Sequence, residues 1–281
     1  MRVDYVDVFG LVPFSGNPVA VIHDSGSLSD GEMLAIARWT NLSETAFLTT
    51  PTSAGADYAL RIFTTEGELP FAGHPTLGAA HAWLGSNDAA STNRQRLVQE
   101  CAAGLIELRR DAHLAFRAPP LQRGGPLTPD ELADVASTLV LEVDAMVDAA
   151  WCDNGPGWIG VLLNSADDVL ALQPTVASLG NVCVGVAGPH APADAESLGA
   201  QVEVRTFYPT YGTIGEDVAT GSFNAALAQW LVPLGRLPQR FTARQGTLLG
   251  RDARLHVEAV GADVWVGGAT RTLVSGELTV D

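Results

Sequence analysis

Hydrophobic and polar residues alternate from Val3 to Phe9, and Val19–Ile22, Thr45–Thr49 and Ala59–Thr64 carry the β-branched and aromatic content of strands. Ser29-Asp-Gly-Glu32 has the spacing of a capping box, and Met33, Ile36 and Ala37 supply the apolar stripe of the helix it opens. After Gly73 the period is helical again: Leu77, Ala80 and Leu84 recur at i, i+3 and i+7. Leu105–Arg109 and His113–Arg117 predict a hairpin. Pro119 to Pro126 is rich in Pro and Gly and reads as a linker, on which closure of two halves would hinge. Thr128-Pro-Asp-Glu131 then opens a capped helix with proline at its first position. Strands are predicted at Trp158–Leu163, Val182–Val186 and Val202–Phe207. A helix follows Gly221 with Phe223, Leu227, Trp230 and Leu231 on one face, and further strands run over Arg254–Val260, Asp263–Val266 and Leu273–Val280.

One device is written twice. Arg61-Ile-Phe63 leads to Gly73-His74 and an apolar helix ending in Trp83-Leu84; Arg205-Thr-Phe207 leads to Gly221-Ser222 and an apolar helix ending in Trp230-Leu231. Gln245-Gly246 echoes Ala103-Gly104, so the repeat extends beyond one motif. Two copies are too few for a solenoid and predict an α+β protein of two pseudo-symmetric domains. The expected division is 1–118 and 119–272, with the C-terminal strand 273–281 a candidate to complete the first. A glycine at a helix mouth lets unpaired backbone N–H groups approach a ligand, and helix N-termini favour anions. The expectation is one pocket between the halves that holds an anionic small molecule.

A net charge of −16 opposes binding to nucleic acid or to anionic membranes, both of which need basic clusters. All 16 basic residues are arginine, so lysine Schiff-base chemistry and a Walker loop are excluded. Cys101, Cys152 and Cys183 are isolated and suit a reducing cytosol. The histidines show no metal-ligand spacing, so no metal is expected, and no G-x-S-x-G elbow occurs. No apolar run approaches the roughly 20 residues of a membrane span, and an opening that alternates from Val3 predicts no signal peptide.

Four polar residues near the two glycines are candidates for chemistry. Glu44, at a helix-to-strand junction between Leu42 and Phe47, is either a partly desolvated acid/base or an ordinary solvated turn residue. His74 either acts on a ligand or is satisfied by a backbone carbonyl. Asp217 is either functional or a helix-mouth anion, and Ser222 alone decides nothing.

Four co-linear segments carry a family resemblance: Asp7–Gly10 with Gly16-Asn-Pro-Val-Ala-Val21, Asn41-Leu-Ser-Glu-Thr-Ala-Phe47, Glu68-Leu-Pro-Phe-Ala-Gly-His-Pro-Thr76, and Gly215-Glu-Asp-Val-Ala-Thr-Gly-Ser222. Together they resemble the PhzF-like family of phenazine biosynthesis. The resemblance implies a diaminopimelate epimerase-like fold, in which each domain wraps a curved sheet around a central helix. It implies a cytoplasmic, homodimeric, cofactor-independent isomerase acting on a small cyclic amino-carboxylate, as in trans-2,3-dihydro-3-hydroxyanthranilate isomerisation; the alternatives are C–C bond hydrolysis in a natural-product pathway on the same scaffold and a non-catalytic metabolite-binding protein. Glu44 stands at the family's proton-transferring position, with His74 and Asp217 at its other catalytic positions. Gly73, Gly221, Ser222 and Ser43 stand at substrate-binding positions. Related racemases place cysteines where this chain has Ala72 and Thr220, so one glutamate working on one face is the expected chemistry. Phe223, Val218 and Thr65 depart from the pattern, and the Phe223 ring beside Ser222 is expected to reshape the pocket.

Overall fold

The computed structural model describes residues 1–86, 94–175, 182–210 and 213–280; Asp281, the last residue of the expected C-terminal strand, lies outside them. The chain forms two compact units, Met1–Arg117 with Val266–Asp281, and Ala118–Trp265. The first contains β1 (Arg2–Val8), β2 (Asn17–Ile22), α1 (Asp30–Thr40), β3 (Thr45–Thr49), β4 (Tyr58–Phe63), β5 (Glu68–Leu69), α2 (Gly73–Ser86), β6 (Arg96–Cys101), β7 (Gly104–Arg110) and β8 (Leu114–Arg117). The second contains β9 (Arg123–Pro126), α3 (Pro129–Leu139), β10 (Asp148–Asp153), β11 (Trp158–Leu162), α4 (Ala166–Ala171), β12 (Cys183–Pro189), α5 (Pro192–Leu198), β13 (Val202–Thr210), β14 (Thr213–Glu216), α6 (Gly221–Leu231), β15 (Arg240–Gln245) and β16 (Ala253–Val260). Strand β17 (Asp263–Gly268) carries the chain back to the first unit, where β18 (Thr270–Glu277) follows.

The same pairing order runs through both units. In the first, β1 and β2 are antiparallel, β2 and β3 parallel, β3 and β4 antiparallel, and β4 takes β5 antiparallel and β6 parallel. In the second, β10 and β11 are antiparallel, β11 and β12 parallel, β12 and β13 antiparallel, and β13 takes β14 antiparallel and β15 parallel. Even the outer partner matches, since β18 lies antiparallel on β1 as β9 does on β10. Arg123–Pro126 is therefore a strand and not part of a linker. The preceding residues are also held, by Gln122 N–H donating to Asp153 O and Gln229 Nε2 donating to Pro119 O. Pro and Gly suit an edge segment as well as a linker, which is why composition misassigned it.

Each unit wraps its strands around one apolar helix. Helix α2 packs against β1, β2, β3, β4, β8 and β18, and α6 against β10, β11 and β16. Buried on nearly every side, both read as apolar all round instead of as a stripe. Close approach is obtained in two ways. In the first unit a Cβ at Gly78 of α2 would stand 2.4 Å from Val19 Cγ1, so only glycine lets helix and sheet meet there. In the second the small residue is on the sheet: a Cβ at Gly185 of β12 would stand 2.1 Å from the Phe223 ring. Phe223 is fully buried over that glycine and beside Trp158, with ring centroids 5.2 Å apart. Its bulk is thus absorbed by the core, which corrects the expectation that it reshapes the pocket.

The duplicated arginines define a second shared device. Arg61 on β4 donates through Nε and Nη2 to both oxygens of Glu68 on β5, at 2.7 and 2.6 Å. Arg205 on β13 makes the same fork with Glu216 on β14, at 2.9 and 2.8 Å. Each guanidinium also lies against the phenylalanine two residues on, Phe63 or Phe207. The environments differ: the Arg61 and Glu68 side chains are 30% and 34% exposed, those of Arg205 and Glu216 only 6% and 15%. Arg205 Nη1 further donates to the carbonyls of Val169 and Leu172 around the end of α4. Removing one partner of a buried pair strands a charge, whereas an exposed pair is screened. Glu216→Ala is expected to lower stability by about 3 kcal/mol and Glu68→Ala by less than about 1 kcal/mol. Urea unfolding of the two variants would contradict this if their losses were equal.

Candidate active site

The capped and the central helices differ at their N-termini. Ser29 and Glu32 form a reciprocal capping box on α1, as do Thr128 and Glu131 on α3. At α2 the residue whose carbonyl accepts the first helical bond, from Thr76 N–H, is Ala72, which has no side-chain acceptor. At α6 that residue is Thr220, accepting from Asn224 N–H, and its hydroxyl caps nothing. The N–H groups of Gly73 and His74, and those of Gly221, Ser222 and Phe223, precede these first helical bonds at buried positions.

Around the α2 mouth the structure brings together three polar side chains. His74, the second helical residue, is 3% exposed. Its Nε2 stands 3.4 Å from Glu44 Oε2, and its Nδ1 stands 3.4 Å from Nδ2 of buried Asn17 at the start of β2. Burial pushes the His74 imidazole down to about 3, so the ring is neutral. Glu44 reaches this point because α1 stops at Asn41 in the left-handed conformation (φ 52°) and the chain turns through Ser43 into β3. That turn is clamped by Thr40 Oγ1, which donates to Ala37 O and lies 2.8 Å from Thr45 Oγ1. Ser43 sits half-buried on the turn, and the Glu44 side chain is 16% exposed. Asn17 is fixed in turn by its neighbour: Gly16 N–H donates to buried Asp7 at 2.9 Å, and a Cβ at Gly16 would meet Val8 O at 2.2 Å.

The α6 mouth has an ordered hydrogen-bond chain. Gln245 Oε1 accepts from Thr220 N–H and Asn224 Nδ2, which fixes its amide orientation. Its Nε2 then donates to Thr206 Oγ1, Thr220 Oγ1 and Asp217 O. The Thr220 hydroxyl gives its proton to Asp217 Oδ2 at 2.6 Å, so Thr206, 2.7 Å away, must donate to Thr220. Both threonine hydroxyl protons thus run towards the Asp217 carboxylate. This explains why a threonine at the cap position leaves its own helix uncapped. Ser222, 8% exposed, is the second residue of α6.

Gly73, His74, Glu44 and Ser43 therefore belong to the first unit, and Gly221, Ser222 and Asp217 to the second. Asn17, Thr206 and Gln245 escaped prediction. Asn17 stood within a quoted motif, but no local pattern ties it to a histidine 57 positions away. Burial pushes the Cys152 and Cys183 thiols up to about 12. Among the described residues no three His, Cys, Asp or Glu side chains converge as metal ligands, and no helix is long and apolar enough to cross a membrane.

Comparison with known proteins agrees with this architecture. The sequence profile of phenazine biosynthesis-like proteins (PhzC-PhzF) matches residues 6–280. A trans-2,3-dihydro-3-hydroxyanthranilate isomerase of Pseudomonas fluorescens is 36% identical over 96% of this chain and 94% of its own. The Schizosaccharomyces pombe protein named Antisense-enhancing sequence 1 is also 36% identical, over 97% of this chain and 96% of its own. Among solved structures, a PhzF-family protein of Enterococcus faecalis covers 99% of both chains at a TM-score of 0.78 and 26% identity. A probable proline racemase of Agrobacterium radiobacter K84, at 14% identity and a TM-score of 0.59 over 100% of this chain and 93% of its own, shares the fold. The mixed α+β architecture is thus the one common to PhzF proteins and to racemases of this type, and the chain belongs to the phenazine biosynthesis-like (PhzC-PhzF) family.

Proposed function

We propose that this protein is a cofactor-independent isomerase that moves a proton on a small cyclic amino-carboxylate of the dihydro-hydroxyanthranilate type. The observation that carries the reading is that the two central helices begin uncapped, each beside a held carboxylate, while α1 and α3 are fully capped. Such mouths are anion sites, each contributing typically 0.3–1 kcal/mol and up to about 2 kcal/mol when partly buried. In this reading the amides at Gly73 and Gly221 and the Ser43 and Ser222 side chains bind substrate oxygens. Glu44 takes a proton from one carbon and returns it to another, and Asp217 holds the polar substituents. The absence of lysine supports chemistry without a Schiff base. A cytoplasmic homodimer fits the same reading.

His74 has a defined part. An amide NH₂ only donates, so Asn17 Nδ2 requires Nδ1 of the neutral ring to accept. The imidazole proton then sits on Nε2, facing Glu44 Oε2. His74 thus presents an N–H 3.4 Å from the carboxylate, an approach and not a closed hydrogen bond, and in this reading donates to Glu44 between successive transfers.

Two outcomes are expected. Glu44→Gln keeps the fold but lowers turnover by about 10²–10⁴-fold, and it abolishes deuterium uptake from heavy water into trans-2,3-dihydro-3-hydroxyanthranilate followed by mass spectrometry. Near wild-type exchange in that variant would remove Glu44 from the mechanism. Nitrogen-15 imidazole spectra should show His74 as the neutral Nε2–H form from about pH 8 to about pH 5. Because the folded-state value is depressed, the unfolded chain takes up this proton first. Stability is intact above the ordinary value of 6.5 and declines towards the folded value near 3. The His74 contribution to that decline is as much as about 1.4 kcal/mol per pH unit and is absent in His74→Gln. A His74 titration centred near 6.5 would contradict the assignment.

A further inference from the structure

Ser222 is gripped at both ends by one turn. Asn154 Nδ2 donates to Ser222 O at 2.9 Å, and Trp158 Nε1 donates to Ser222 Oγ at 3.1 Å. Asn154 and Trp158 are 5% and 4% exposed. The turn between β10 and β11 is itself rigid: Asp153 Oδ1 accepts N–H bonds from Gly155 (2.8 Å), Gly157 (2.6 Å) and Trp158 (3.3 Å). Gly155 and Gly157 take φ values of 142° and 86°, which L side chains rarely adopt. The indole is also held by its ring against Phe223, which Gly185 seats. Trp158 therefore has one orientation, set by packing on its face and by a carboxylate cage at its backbone.

The direction of the Trp158–Ser222 bond has a chemical consequence. Indole nitrogen is a donor only, so Ser222 Oγ must accept there. The serine proton is turned away from Trp158, and among the described residues no acceptor takes it. The Gly221 and Ser222 N–H groups lie beside it and are donors as well, while Asp217 is the acceptor of this mouth. We propose that Trp158 is a positioning and specificity-determining residue: its indole N–H occupies one Ser222 Oγ lone pair and turns the serine proton away from Trp158, so Ser222 donates to a bound carboxylate oxygen and favours a carboxylate over a carboxamide. This rests on the carboxylate-binding reading above and names which neighbour enforces it.

Anthranilate and 2-aminobenzamide are suitable probes, alike in the ring amine and differing in a carboxylate against a carboxamide, with binding read by calorimetry. Trp158→Phe keeps the ring contact with Phe223 and removes the N–H. It should weaken anthranilate binding by about fivefold and narrow its advantage over 2-aminobenzamide by a similar factor. Ser222→Ala and the double variant should agree within about twofold, because Trp158 acts through the serine. Equal losses from Trp158→Phe with and without Ser222 would overturn the proposal, since a packing role predicts additivity. Should anthranilate fail to bind the wild-type protein, the proposed function falls separately. The Trp158 indole proton resonance then decides the positioning role: an upfield move in Ser222→Ala upholds the serine contact, and an unmoved resonance overturns it.

Discussion

The first turn of an α-helix has N–H groups that the helix cannot satisfy, and burying that turn without a cap is costly unless something else accepts them. Helices α2 and α6 both begin this way at buried positions. Much of each unit is arranged around that constraint. The sheets enclose the helices, glycines at Gly78 and Gly185 let the two layers close, and the Arg–Glu forks hold the hairpins that lead into each mouth. Side chains that could have capped the helices have other tasks: Ala72 has nothing to offer, and Thr220 spends its proton on Asp217.

The two units solve one geometric problem with different chemistry. The first sets a neutral histidine against a glutamate, ordered by an asparagine. The second sets a threonine against an aspartate, ordered by a glutamine whose amide makes five hydrogen bonds. In the second, backbone and side-chain partners fix the donor and acceptor ends of the amide; in the first, the amide nitrogen of Asn17 faces Nδ1 of the ring. Duplication thus preserved the frame and let the polar lining diverge, so the two mouths carry different chemistry.

Much of the frame was legible in the chain. Alternation marked the long strands, capping boxes marked α1 and α3, and the glycine–polar–apolar pattern marked α2 and α6. Segments of two to four residues such as β5, β9 and β14 carry too little periodicity to register, and β9 was masked by its Pro and Gly content. The candidate residues adjoining Gly73 and Gly221 were visible because they sit on the motifs. Their organisers were not. Asn17, Gln245, Asn154 and Trp158 reach their partners across 21 to 68 positions, and hydrogen bonds of that span leave no local pattern. Phe223 was misjudged for a related reason: its neighbour Gly185 is remote in sequence, and only the pair explains the ring.

Strand β18 has a bearing on biogenesis. It lies antiparallel along the whole of β1, and Leu278 and Met1 exchange backbone hydrogen bonds across a separation of 277 residues. A ribosome therefore emits everything needed for the second unit before it emits the strand that closes the first. The lobe begun earliest is finished last, and its opening strand waits with one edge bare throughout most of translation. Asp4, Asp7 and Arg2 along that strand are charges of the kind that discourage an exposed edge from pairing with the wrong neighbour.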